Sequence, residues 1–144
     1  MSGVQCQQIK VNKNKFKQQT DFQKLSKAVE APCHAMMQRT VGSGFPILLE
    51  SSHVSRSTVV AAVQRVVGPA LLYTRNGKEK NEATSAEVEN WLKRWKRGEE
   101  KRALVTDDEI SRGWEAPAVM VIGEYGTENL VMRACGFCFL IRLE

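Results

Sequence analysis

Residues 46–144 predict an α/β domain on a mostly parallel sheet, and residues 1–45 predict a basic, flexible segment ahead of it. Three observations lead there. Short apolar runs alternate with stretches of helical periodicity, the pattern of strands joined by crossover helices. Capping and stop residues fall at the boundaries between them. The charge is unevenly divided, with seven Lys/Arg against two acids before residue 46 and fourteen of each after it. The net charge of +5 therefore comes from the N-terminal segment.

The first 20 residues are rich in Lys, Gln and Asn and too poor in apolar residues to build a core, so they are expected to be disordered. Phe22, Leu25, Val29 and Met36 recur loosely at helical spacing, but Pro32 interrupts them and Gly42 and Gly44 follow. That stretch predicts a short helix or a linker. PILLE, residues 46–50, reads as a buried strand. Ser55 or Ser57 then caps a helix with Val59, Val60, Val63, Val66 and Val67 on one face, stopped by Gly68-Pro69. Ala70 to Tyr73 is a second short strand, and RNGKEKNEA is a loop. Thr84 and Glu87 have capping-box spacing, and the helix they open places Val88, Trp91, Leu92 and Trp95 together, facing the core. RALVT, AVMVI and the closing run CFLIRL supply three more strands, with a loop and then a short helix between them.

A length of 144 residues and 42% hydrophobic content suit one domain with a real core. No apolar run reaches the roughly 18 to 20 residues of a membrane span, and MSGVQCQQIKVNKNK lacks the apolar stretch of a secretory signal. The expectation is an intracellular protein, cytoplasmic or nuclear, whose Cys6, Cys33, Cys135 and Cys138 remain thiols. Cys135 and Cys138 have CxxC spacing, but no second ligand pair accompanies them, so no metal site is expected.

The stretch WLKRWKRGEEKRALVTDDEISRGWEAPAVMVI, residues 91–122, resembles the C-terminal, second RecA-like lobe of superfamily 2 helicases. It follows that lobe's order of a helix with a late aromatic, a Gly, a strand and motif V. Residues 46–66 resemble its first strand and helix more weakly, and Arg133-Ala134 is similar to the Arg-Ala pair of superfamily 1 helicases. The resemblance implies a RecA-like three-layer fold. It places motif V residues, and so nucleotide-cleft roles, on Asp108, Arg112, Gly113 and Glu115. It implies that Arg133 is an arginine finger, the catalytic residue of the set. Asp107 stands where the family has a Thr that contacts a nucleic-acid phosphate, which a carboxylate would repel, and the flanking Gly and second Arg of the last motif are missing.

No G-x-x-x-x-G-K-[ST] loop occurs, so ATP and magnesium would be held only with a first lobe, on the same polypeptide or a partner chain, and the chain alone is expected to be inactive. Because it stops at Glu144, straight after the last strand, a fragment or shortened product is expected. Two functions follow. One is the second lobe of an ATP-dependent nucleic-acid remodelling protein. The other is a non-catalytic binding or regulatory module in an animal multidomain signalling NTPase. Nucleic acid, if bound, is expected on the N-terminal lysines Lys10, Lys13, Lys15 and Lys17, without sequence preference.

Overall fold

The computed structural model describes residues 5–11, 21–39, 44–50, 54–75, 82–112, 114, 116–123 and 134–143. In chain order these form β1 (Gln5–Val11), α1 (Asp21–Arg39), β2 (Pro46–Glu50), α2 (Arg56–Val67), β3 (Ala70–Leu72), α3 (Ser85–Lys96), β4 (Ala103–Thr106), β5 (Ala116–Gly123) and β6 (Ala134–Leu143). The six strands form one parallel sheet in the order β1-β6-β5-β2-β4-β3. With helices on both faces, this is the α/β three-layer arrangement of the RecA-like class. The short helix expected before the last strand lies outside the described residues.

Strand order decides which helix covers which face. The steps β1 to β2 and β2 to β3 run the same way across the sheet, whereas β3 to β4 runs back. Right-handed crossovers then put α1 and α2 on one face and α3 on the other. The core follows this division. Ile47, Leu49, Val105, Met120 and Ile122 pack under α1 and α2, while the intervening Leu48, Leu104, Val119 and Val121 pack under α3. A period of two that is apolar on both sides is why PILLE reads as a continuous hydrophobic run.

The expected helix signals hold. Ser55 accepts a hydrogen bond from the Thr58 N–H at 3.2 Å as the N-cap of α2, and Thr84 accepts one from the Glu87 N–H at 3.2 Å for α3. Gly68 closes α2 at φ 85°, a conformation that strains any residue with a Cβ. Trp91 and Trp95 are buried, as their spacing predicts.

The N-terminal segment differs from its expectation. Gln5–Val11, read from composition as disordered, pairs in parallel with β6 from Gln5 opposite Phe137 to Val11 opposite Leu143. An edge strand needs only one neighbour, and Gln7, Gln8 and Lys10 stay exposed, so a polar composition is compatible with it. Residues 12–20, with Lys13, Lys15 and Lys17, lie outside the described set.

Nor does Pro32 end the helix, because α1 runs 19 residues straight through it. Losing one backbone hydrogen bond and crowding the preceding turn costs about 3 kcal/mol. Leu25, Val29, Cys33 and Met36 are fully buried on one side of α1, and burial of each aliphatic side chain contributes about 1.5 to 3 kcal/mol. Packing therefore outweighs the proline. The same burial pushes the Cys33 thiol up to about 12.

Candidate functional site

In an open parallel sheet, ligands bind beyond the carboxyl ends of the strands, where the connections diverge. Here that edge lies around the ends of β2, β4 and β5. β2 continues through α2 toward β3, and β5 leads the opposite way to β6. The motif loop of the sequence analysis begins at this edge, directly after Thr106 at the end of β4.

Carboxylates fold the loop. Asp107 accepts the Arg75 N–H on Oδ2 at 2.9 Å and the Ile110 N–H on Oδ1 at 2.9 Å. Its side chain thus joins the end of β3 to the first turn of the loop, as an Asx cap does. Glu50, at the end of β2, accepts the Asp108 N–H at 2.8 Å. Backbone bonds from Ser111 to Asp107 and from Trp114 to Ser111 continue the turns. Trp114 then stacks on Trp91 with centroids 6.2 Å apart, which fastens the far end of the loop to the α3 layer.

Of the residues implied as cleft groups, Asp108 and Arg112 lie one turn apart on this loop. Their ion pair is 3.8 Å long, and the Arg112 side chain is 66% exposed, so the pair is a weak surface contact. Gly113, Glu115 and Arg133 lie outside the described residues, so no distance relates the finger position to the loop. Glu50 and Arg75, which brace the loop, carry no motif signal. Their role depends on strands that adjoin only in the folded sheet. The one hint in the sequence was an acid ending an otherwise apolar strand.

Glu50, Glu82, Asp107, Asp108 and Glu109 lie along this edge, against Arg75 and Arg112. Arg75 pairs with Glu109, and Glu82 accepts both the hydroxyl and the N–H of Thr74. At the end of β4 the Thr106 hydroxyl is buried and has no hydrogen-bond partner among the described residues. A triphosphate needs several donors, and the described edge offers carboxylates in excess. Among the described residues, no group of three His, Cys, Asp or Glu is placed to hold a metal ion, and no helix is long and apolar enough to cross a membrane.

Comparison with known proteins returned no matching family model, no matching curated relative and no matching solved structure.

Proposed function

We propose that this chain is a RecA-like lobe serving as a non-catalytic binding or regulatory module, with no nucleotide chemistry of its own. The observation that carries this reading is the state of Asp107. Both carboxylate oxygens accept backbone N–H groups of the protein, from Arg75 and Ile110. The loop that would contact a nucleic-acid phosphate in a helicase-type lobe is here held closed on itself by an acid. Its surface carries the half-buried Asp108 and the exposed Glu109, which repel a phosphate further.

The test is calorimetric titration of the purified chain with ATP–Mg²⁺ and with ADP, alongside a hydrolysis assay. The expected result is no saturable binding tighter than about 1 mM, near 4 kcal/mol of affinity, and no turnover above background. Micromolar binding, or magnesium-dependent turnover that follows the protein through a further column, overturns the proposal. Either result would favour the other reading, in which Asp108, Arg112, Gly113 and Glu115 line a cleft completed by a first lobe and Arg133 is its arginine finger.

A further inference from the structure

The equal numbers of acids and bases over residues 46–144 conceal a local excess. Between Lys93 and Arg102 there are six basic residues and two acids, which leaves eight basic and twelve acidic in the rest of that span. α3 runs back across the sheet, so its C-terminal end lies at the amino edge, opposite the acidic loop of the candidate site. Among the described residues, this places a run of bases at the amino edge, away from the carboxylate-rich loop after β4.

The two acids of the segment neutralise little of its surface. Glu100 is 1% exposed, and besides a long 4.0 Å pair with Arg94 it is used internally. Its carboxylate accepts the Lys101 N–H at 2.9 Å, the Arg102 N–H at 3.1 Å and the Arg102 guanidinium at 2.9 and 3.1 Å. Glu99 stands 3.9 Å from Arg97, a long pair between exposed groups. Lys93, Arg94, Lys96, Arg97 and Lys101 all face solvent. Cations in the last turn of a helix offset its macrodipole, but Lys101 lies beyond the helix and the number exceeds what a single helix end uses.

We infer that the C-terminal end of α3 and the turn after it form a contact surface for the phosphodiester backbone of nucleic acid, read without regard to sequence. Two features favour this partner. The aromatics of the helix, Trp91 and Trp95, are buried in the core, so the patch presents charge without a stacking platform. Among the described residues it also lacks the exposed aromatic or aliphatic anchors that protein interfaces and membrane-seated helices use. A row of phosphates needs only cations. Glu100 supports the surface by fixing the turn that carries Lys101, and its own carbonyl accepts the Gly44 N–H at 2.9 Å. The inference is independent of the nucleotide reading, since the two surfaces lie at opposite ends of the sheet.

The test is fluorescence anisotropy of the full chain with two labelled duplexes of unrelated sequence, across a salt series. The variants are Lys93→Gln/Lys96→Gln/Lys101→Gln and, for comparison, Lys13→Gln/Lys15→Gln/Lys17→Gln. Both duplexes should bind the parent alike. The α3 variant should lose on the order of tenfold at low salt and flatten the logarithmic salt slope by about two to three, near 0.9 for each phosphate contact. The N-terminal variant should change the slope less. Thermal melts check folding, and if the triple variant melts low, the single Lys101→Gln should still flatten the slope by about 0.9. The inference is overturned by no binding at low salt, or by loss confined to the N-terminal variant. It is also overturned if a polyglutamate of equal charge binds as tightly as DNA, which would make the partner an acidic protein segment.

Discussion

Replacing Trp91 with Ala should be the most damaging single change in the α3 layer. Trp91 is fully buried, its ring stacks on Trp95 with centroids 5.2 Å apart, and its Nε1–H donates to the Arg102 carbonyl at 2.9 Å. Truncating a large buried aromatic costs about 3 to 5 kcal/mol through lost burial and the cavity left behind. A half-buried carbonyl losing its donor adds about 1 kcal/mol or more. The sum lies near 4 to 6 kcal/mol, a large share of the roughly 5 to 15 kcal/mol by which a domain is stable. Urea unfolding followed by far-ultraviolet circular dichroism avoids relying on the tryptophan that is removed. At a slope of about 2 kcal/mol per molar, the midpoint should fall by about 2 M or more. Trp91→Phe keeps an aromatic ring but no N–H, so it should recover part of the loss. Trp95→Ala, at a position 9% exposed, should also destabilise, by somewhat less. A Trp91→Ala midpoint within about 0.5 M of the parent would refute the packing described for this layer.

Two further substitutions probe the amino edge. A Cβ on Gly44 would meet the Glu100 carbonyl oxygen at 2.7 Å and the Arg102 carbonyl oxygen at 3.1 Å, both backbone atoms. Gly44→Ala should therefore cost about 1 to 3 kcal/mol, read as a lower urea midpoint with an unchanged slope. Glu100→Gln tests the carboxylate beneath the basic turn. Burial pushes the Glu100 carboxyl up, but the Arg102 guanidinium and the backbone N–H groups of Arg102 and Lys101 outweigh it and hold it below the usual glutamate range. A lowered folded value stabilises the fold above the ordinary value of about 4.3, and that stability is lost as pH falls through the folded value. The gap between parent and Glu100→Gln should be widest near about pH 7 and should narrow in acid, as midpoints at several pH values would show. A gap constant down to about pH 3 would refute the carboxylate's role.

Much of the fold was legible because its causes are local. PILLE is apolar at every inward position of both faces, Ser55 and Thr84 cap helices through bonds only three residues long, and the tryptophan spacing matches one turn of α3. These signals depend on neighbours in sequence, and periodicity records them directly. The motif loop was also placed correctly after β4, because Thr106 ends an apolar strand and polar residues follow.

What the sequence could not reveal depended on partners far along the chain. The polar strand Gln5–Val11 exists because β6, more than 120 residues later, offers it an edge, and a half-covered edge strand needs little apolar character of its own. Pro32 breaks helices in isolation, yet α1 continues through it because the sheet buries four side chains on its inner side. Asp107 reads in sequence as a stray acid after an apolar strand until β3 brings the Arg75 N–H to it, and Glu50 becomes a brace only once β2 lies beside β4. That the basic end of α3 lies away from the loop after β4 likewise appears only when the sheet fixes where α3 ends. Sequence periodicity determined which face of each element is apolar. Tertiary structure alone decided which elements meet, because pairing and bracing join groups whose separation along the chain carries no periodic signal.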